Sequence, residues 1–192
     1  MKLINNKSLL ALMLCTSLFA QQDGVYVEAG VGSILSDTLE SKNGTFKYVN
    51  DLSSNLAIGY QLGLYRFELE GRYTKNSLYS YANLSSSGDL QKHSQMLNAY
   101  YSGYNSSPFF TSVGLGVGAS SIKLKNMKQL GTSVSDITNS GVFSAQAMLS
   151  IGYMITEHIA TSVKYNYLYT TKSDDFDAQG DSHISLTFRY LF

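Results

Sequence analysis

Hydrophobic and polar side chains alternate with a period of two along most of the chain after residue 24. The final stretch, HISLTFRYLF, places bulky apolar side chains on one face, from Ile184 to Phe192. His183, Ser185 and Arg189 fall on the opposite face. A period of two is that of a β-strand. One apolar and one polar face are typical of a strand that separates hydrocarbon from a polar lumen.

The same alternation predicts eight strands in all. They cover residues 25–32, 55–62, 65–73, 96–102, 109–119, 143–153, 159–169 and 183–192. In the fourth strand the pattern leaves open whether the face of Leu97 and Tyr101 or the face of Met96 and Tyr100 points outward. An even number of antiparallel strands of about 9–11 residues is what a bacterial membrane barrel requires.

The connections between the predicted strands are alternately long and short. The long ones are Leu35–Asp51, Lys75–His93, Ser120–Ser140 and Thr170–Asp181, and the short ones are Gly63–Leu64, Gly103–Pro108 and Met154–His158. Outer-membrane barrels have long loops outside and short turns in the periplasm. We therefore predict an all-β protein, an eight-stranded antiparallel transmembrane β-barrel with four long extracellular loops and three short periplasmic turns. Its last strand is expected to pair with the first.

A soluble lipocalin-like barrel or β-sandwich shows the same alternation with the apolar face turned inward. Two features favour the membrane barrel. The polar faces of several strands are rich in Gly, Ser and Ala, whereas solvated surfaces carry Lys and Glu. Aromatic residues also concentrate near the ends of the apolar faces, as in the girdles at membrane interfaces. These aromatic residues are Tyr65, Tyr73, Phe109, Phe143, Tyr153, Tyr169 and Tyr190.

Composition agrees with a strand-rich domain. Charged residues make up 15% of the chain, proline occurs once, and Tyr (15), Phe (9) and Gly (16) are plentiful. The formal net charge is zero, so no basic field points to nucleic acid as a partner. No segment after the first twenty residues approaches the roughly 18 consecutive apolar residues of a membrane helix.

Residues 1–20 have the features of a cleaved signal peptide. Lys2 and Lys7 precede an apolar run that ends at Ala20. Cys15 invites a lipoprotein interpretation, but Leu14 is too bulky for the position before a lipidated cysteine. We expect residues 21–192 to form the barrel domain, which then contains no cysteine and no disulfide.

Several segments resemble the OmpA/OmpX/opacity-protein superfamily of outer-membrane β-barrels. They are the runs MLNAYY (96–101), FFTSVGLGVG (109–118), FSAQA (143–147) and VKYNY (163–167). The chain departs from the family where Lys164 and Asn166 stand in place of arginine. The carboxyl-terminal aromatics Phe188, Tyr190 and Phe192 resemble the signal that barrel-assembly machinery recognises. The resemblance implies a location in the outer membrane, with lipid, lipopolysaccharide and that machinery as partners.

Seven charged residues fall on the polar faces of the predicted strands and are expected in the lumen. They are Glu28, Arg66, Glu68, Glu70, Arg72, Lys164 and Arg189. Isolated buried charges are costly, so we expect a paired network, with Glu28 as the partner of Arg189. A network that fills and rigidifies the barrel is favoured over a narrow ion path or gate.

His183 and Ser185 are similar to the His-x-Ser pair of lipid A deacylases. A serine hydrolase needs a base oriented by an acid, and the sequence identifies no such acid. We therefore expect no enzyme activity. His93 and His158 lack metal-ligand spacing, and the cluster of Asp174, Asp175, Asp177 and Asp181 lacks an EF-hand pattern, so neither a metal nor a cofactor is expected.

The predicted loops carry the residues most suited to recognition. The candidates for contact with a host surface or anionic lipopolysaccharide are Tyr79, Tyr81, Lys123, Lys125 and Lys128. Shielding of the barrel rim is the alternative. The sequence thus indicates an outer-membrane protein that supports envelope integrity and presents interaction loops. A small ion or solute pore is the second hypothesis, and a lipid A deacylase is the third.

Overall fold

The computed structural model describes residues 23–35, 38–41, 44–49, 52–81, 84–104, 107–129, 132–133, 137–172 and 177–192. Within these ranges no helix is long and apolar enough to span a membrane. The predicted signal peptide, including Cys15, lies outside them and remains a prediction.

The described residues form eleven strands. Eight of them are long: β1 (Gly24–Ile34), β4 (Leu52–Leu62), β5 (Tyr65–Tyr81), β6 (Leu84–Tyr104), β7 (Phe109–Gln129), β9 (Ile137–Met154), β10 (Ile159–Thr170) and β11 (Gln179–Leu191). Three are short: β2 (Thr38–Ser41), β3 (Gly44–Val49) and β8 (Thr132–Ser133). Strands β2 and β3 pair with each other and β3 pairs with the end of β5, while β8 pairs with the end of β7.

The eight long strands close into a cylinder. Each pairs antiparallel with the next long strand in the chain, and β11 returns to pair with β1. The closing register runs from Tyr26 opposite Leu191 to Ile34 opposite His183. Closure leaves no unpaired strand edge along the wall. The predicted eight-stranded antiparallel barrel is confirmed.

In each of the eight long strands, the apolar face predicted from the sequence points outward. Leu115 and Ile151 are 70% and 61% exposed, whereas inner positions such as Glu70 are fully buried. In β6, Leu97 faces outward, while Met96 and Tyr100 are buried inside. This decides the strand whose orientation the sequence left open. A soluble barrel would have the opposite arrangement, with its apolar side chains inside.

The predicted limits of two long loops differ widely from the structure, and strands β2 and β3 lie within a third, predicted as Leu35–Asp51. Residues 75–81 and 84–93 continue β5 and β6, and residues 120–129 and 137–140 continue β7 and β9. The ladder persists there, with Lys75 opposite Gln91 and Gln91 opposite Lys123. The outward side chains of these extensions are polar. The outer apolar face that predicted the strands therefore ends, although the hydrogen bonding between the strands continues.

The two ends of the barrel differ. At the turn end, short connections join β4 to β5, β6 to β7 and β9 to β10. In the first of them Gly63 adopts a φ of 53°, a conformation that favours glycine, and its amide donates to Asp23 Oδ1 at 2.6 Å. The opposite end, here called the loop end, carries the extended hairpins. The two ends therefore present different surfaces.

Candidate functional site

The interior of the barrel holds the seven charged residues singled out in the sequence. All seven side chains are buried, with exposed fractions between 0% for Glu70 and 8% for Arg72. They alternate with outward apolar residues on β1, β5, β10 and β11, which is why the pleat directs them inward. Their placement inside the wall makes each charge dependent on protein partners.

Glu28 is the centre of one ion-pair group. Lys164 Nζ lies 2.5 Å from Glu28 Oε1, and Arg66 Nη1 lies 3.7 Å from Oε2. Lys164 also donates to the Tyr100 hydroxyl at 3.3 Å. The Arg66 guanidinium lies over the Tyr100 ring, 4.6 Å from its centroid. One carboxylate thus joins two cations that come from opposite parts of the wall.

Glu68 is held by uncharged donors. The hydroxyls of Tyr26 and Tyr100 donate to it at 2.9 and 2.8 Å, and Asn98 Nδ2 donates at 2.9 Å. A buried carboxylate with three donors is satisfied without a direct cation. Tyr26, Asn98 and Tyr100 were not among the predicted site residues, because only charges were considered as network members.

Glu70 and Arg72 form the next level of the network. Arg72 Nη2 lies 2.5 Å from Glu70 Oε1, and its Nη1 donates to Asn166 Oδ1 at 2.6 Å. Asn98 and Gln146 donate to the other Glu70 oxygen at 2.8 and 3.3 Å. Uncharged polar residues therefore complete a network that crosses the lumen. Those described so far are Tyr26, Asn98, Tyr100, Gln146 and Asn166. The sequence contains the signal for them, since they occupy inward positions of the predicted strands.

Arg189 does not form the ion pair predicted for it. The Glu28 oxygens are bound to Lys164 and Arg66, and no ion pair involving Arg189 occurs among the described residues. Its guanidinium lies 5.2 Å from the centroid of the Phe110 ring, and Nη1 has no hydrogen-bond partner in the described part of the chain. The prediction failed because it considered neighbours along the seam, whereas long side chains reach across a narrow lumen.

Toward the loop end, a further ion pair lies above the central network. Lys92 Nζ contacts Asp181 Oδ2 at 2.7 Å and donates to Thr170 Oγ1 at 2.8 Å. A chain of hydroxyls crosses the same level, at 2.8, 2.7 and 3.4 Å between successive oxygens of Ser94, Ser120, Ser144 and Thr170. Lys92 was not among the predicted lumen charges because the sequence analysis assigned it to the loop Lys75–His93.

Apolar side chains occupy the lumen at both ends. At the turn end, Tyr104 and Phe110 pack with their ring centroids 5.5 Å apart, against Ala160, Leu64 and Met154. At the loop end the inner face carries buried apolar residues: Ile34, Leu90, Ile122, Leu124 and Val142. The order along the barrel axis is therefore apolar, charged and apolar.

His183 lies inside the barrel. Its side chain is buried, and neither ring nitrogen has a hydrogen-bond partner among the described residues. Asp181, two residues away, is bound to Lys92 and to Gln179. Ser185 is half-buried on the same inner face. The pair therefore lacks the hydrogen-bonded acid–base–nucleophile arrangement of a serine hydrolase.

The acidic cluster predicted near residue 177 is divided in the structure. Asp181 faces the interior, whereas Asp177 is on the surface with Lys172 at 3.0 Å. Asp174 and Asp175 lie outside the described residues. Within the described part of the chain no group of three or more His, Cys, Asp or Glu side chains is arranged to hold a metal ion.

The carboxyl-terminal aromatics lie on the outer face. Phe188, Tyr190 and Phe192 are all exposed, and the rings of Tyr190 and Phe192 contact edge to face at 5.0 Å. Of the loop candidates, Lys123 and Lys125 are half-buried on the outer face of β7. The side chains of Tyr79, Tyr81 and Lys128 lie outside the described part of the structure.

Comparison with solved structures identifies the fold. Neisserial surface protein A (NspA) gives a TM-score of 0.67 at 19% identity, covering 88% of this chain and 97% of that one. OprG of Pseudomonas aeruginosa gives 0.58 at 14% identity, with 90% and 98% covered. Ail of Yersinia pestis, in complex with the heparin analogue sucrose octasulfate, gives 0.55 at 14% identity, with 88% and 99% covered.

Sequence comparison gives one partial and one nearly complete match. Phospholipase A1 of Proteus vulgaris is 36% identical over an alignment of 109 residues, and the match covers 54% of this chain and 37% of that protein. The matched segment thus spans little more than a third of that relative. The outer membrane protein beta-barrel domain matches residues 8–192. The chain belongs to the outer membrane protein beta-barrel domain family and is a protein of the outer membrane.

Proposed function

We propose that this chain is a structural, non-conducting protein of the outer membrane whose loop end serves in surface interaction. The filling of the lumen carries this proposal. A hydrogen-bonded charge network crosses the middle of the barrel, and apolar side chains occupy both ends. The interior of an eight-stranded barrel is just wide enough for side chains to fill.

The bonding of the network supports a structural role over a gate. Glu68 and Glu70 each accept hydrogen bonds from at least two groups, and Glu28 accepts one from Lys164 and forms a longer ion pair with Arg66. Ion conduction needs binding that is weak enough, or spread over enough sites, for the ion to leave. Carboxylates already bound to protein donors are poor sites for a conducted ion to bind and leave. The small pore suggested by the sequence is therefore the less favoured function.

A hydrolase is disfavoured by the interior location of His183 and Ser185. A membrane lipid approaches the barrel from outside, and the wall separates it from both side chains. The similarity to phospholipase A1 makes the question testable. Hydrolysis of a fluorogenic phospholipid by the refolded protein should stay at the rate of vesicles alone, and Ser185→Ala should behave identically. Turnover that is lost in Ser185→Ala would establish the enzyme instead.

The loop end is the proposed surface-interaction region. Lys75, Lys123 and Lys125 lie on the outer face of the extended strands there, with Asp89 beside Lys75 at 3.2 Å. Ail, of the same fold, is known in complex with a heparin analogue, and a sulfated glycan is one chemical class that such lysines attract. Retention on immobilised heparin should fall with salt and fall further in Lys123→Gln/Lys125→Gln. The exposed Lys172→Gln is the matched control.

Removing the gene tests the envelope role directly. Cells without the protein should leak periplasmic enzymes and tolerate less detergent than the parent strain, and expression of the wild-type chain should restore both. Unchanged leakage and detergent tolerance in the deletion strain would overturn the structural role.

A further inference from the structure

The buried charges of the barrel interior do not balance. With histidine counted as neutral, the described residues include five buried basic side chains and four buried carboxylates. They are Arg66, Arg72, Lys92, Lys164 and Arg189 against Glu28, Glu68, Glu70 and Asp181. A net charge enclosed by a wall that faces hydrocarbon is costly to hold without a counter-ion. The described interior therefore carries one positive charge in excess.

This excess charge lies at Arg189. Each of the other four buried basic side chains is within ion-pair distance of a carboxylate. The Arg189 guanidinium carbon instead lies 5.7 Å from the centroid of the Tyr26 ring and 5.2 Å from that of Phe110. The faces of aromatic rings attract a cation but carry no net charge, so they do not neutralise it.

A second guanidinium lies beside the same tyrosine. The guanidinium carbon of Arg66 is 5.8 Å from the centroid of the Tyr26 ring. The Tyr26 side chain covers Gly59 on β4, because a Cβ built at Gly59 would lie 2.5 Å from Tyr26 Cζ. One side of the ring thus lies against the wall, and its other side faces the lumen. Arg66 from β5 and Arg189 from β11 approach each other on that lumen side.

Both guanidinium groups have a donor to spare. Arg66 Nε and Arg189 Nη1 are buried, and neither has a hydrogen-bond partner in the described part of the chain. The remaining Arg66 contacts are long, at 3.7 Å from Nη1 to Glu28 and 3.3 Å from Nη2 to Ser112. A buried donor without an acceptor loses its hydration uncompensated. Two such donors on neighbouring cations are best satisfied by one acceptor that is itself negatively charged.

We infer that a small monovalent anion such as chloride binds between Arg66 and Arg189, at the turn end of the lumen. Its single charge matches the excess of one, and it accepts the two unpartnered N–H groups. The packed rings of Tyr104 and Phe110 close the lumen on the turn side of this site, which favours a small ion over a bulky one. The inference goes beyond the proposed function, which requires no bound ion.

Binding of this anion is coupled to closure of the barrel. Arg189 lies on β11, which pairs with β1 only in the closed cylinder, so an unfolded chain does not hold the two guanidinium groups together. A ligand that binds only the folded state stabilises it in proportion to ligand concentration, once that concentration exceeds the dissociation constant. The ratio of folded to unfolded protein should therefore rise by up to about tenfold for each tenfold increase in chloride.

Urea unfolding of the full chain in lipid vesicles tests the site. Chloride replaces gluconate, a bulky monovalent anion, at constant ionic strength. Arg189→Met removes the excess charge and one of the two donors, and Lys172→Met is its matched control, because it removes a positive charge from the surface. Heat-modifiable gel migration verifies that each variant is folded. Crystals of the wild type grown in bromide give an independent measurement, since bromide is located by its anomalous scattering.

The urea midpoint of the wild type and of Lys172→Met should rise with chloride, whereas that of Arg189→Met should not. Anomalous density should lie between the guanidinium groups of Arg66 and Arg189. An equal wild-type midpoint in gluconate and chloride, an equal chloride dependence in Arg189→Met, or the absence of bromide density at this position would each overturn the site.

Discussion

Glu28 and Arg189 face each other across the closing β1–β11 seam, yet the Glu28 carboxylate binds Lys164 at 2.5 Å while the Arg189 guanidinium lies over the Phe110 ring. Lys164 and Arg189 therefore lie in different electrostatic environments. Lys164 completes a buried ion pair, whereas Arg189 contacts aromatic rings near the turn end. Their substitution should have different consequences.

Lys164→Met should strongly destabilise the barrel. Glu28 then keeps only the longer contact to Arg66, and breaking a buried pair from one side costs about 3–5 kcal/mol. Urea unfolding of the protein in lipid vesicles, followed by tyrosine fluorescence, measures the loss. The double variant Glu28→Gln/Lys164→Met should recover part of it, because no uncompensated carboxylate remains. Equal stability of the single and double variants would contradict the pairing.

Arg189→Met should cost far less than Lys164→Met. No carboxylate lies at ion-pair distance from Arg189 in the described structure, so the change removes a desolvated cation together with ring contacts of about 0.5–2 kcal/mol. We expect a free energy of unfolding within about 1 kcal/mol of the wild type, or higher. The same urea titration measures it, and a loss as large as that of Lys164→Met would show that Arg189 has a carboxylate partner after all.

Gly32→Ala should impair closure of the barrel, whereas Gly71→Ala should not. A Cβ at Gly32 would lie 2.1 Å from the backbone oxygen of Ile184 across the seam, but at Gly71 the nearest atom is 4.0 Å away. Backbone atoms of a paired strand cannot yield without disturbing the ladder. The fraction of heat-modifiable protein after refolding measures closure. Similar yields for both variants would show that the seam is looser than described.

Phe192→Ser should reduce insertion in cells without reducing stability in vitro. The ring is 68% exposed on the outer face and contacts Tyr190, so it adds little to the interior packing. If Phe188, Tyr190 and Phe192 are read by the assembly machinery, the variant will accumulate in the periplasm while its refolded form unfolds at the wild-type urea concentration. Normal insertion of the variant in cells would show that Phe192 is not part of the assembly signal.

The period-two pattern was sufficient for the barrel but not for its loop end. Residues such as Leu115 and Ile151 mark the outer face because hydrocarbon demands apolar side chains there. Above that band, Lys75, Gln91 and Lys123 continue the ladder with polar side chains, and no sequence period separates such a strand from a loop.

The interior was predictable in composition but not in its pairings. Alternation placed Glu28 and Lys164 on inward faces, and both are buried. Which charges meet depends on strand tilt and on how far side chains reach across the lumen, neither of which a linear pattern contains. Tyr26 and Tyr100 were missed for a related reason. Their hydroxyls donate hydrogen bonds to the Glu68 carboxylate. In the sequence of a membrane barrel, however, a tyrosine equally indicates the aromatic girdle at a membrane interface.

Planar-bilayer recording of the refolded wild type beside Arg72→Ala examines the sealed lumen most directly. Arg72 links Glu70 to Asn166, so its truncation opens the network at its centre. We expect no discrete conductance steps from the wild type, with heat-modifiable migration proving that the inserted protein is folded, and a lower urea midpoint for Arg72→Ala. Defined current steps from the wild type, rising in Arg72→Ala at unchanged stability, would contradict a structural network and establish a pore.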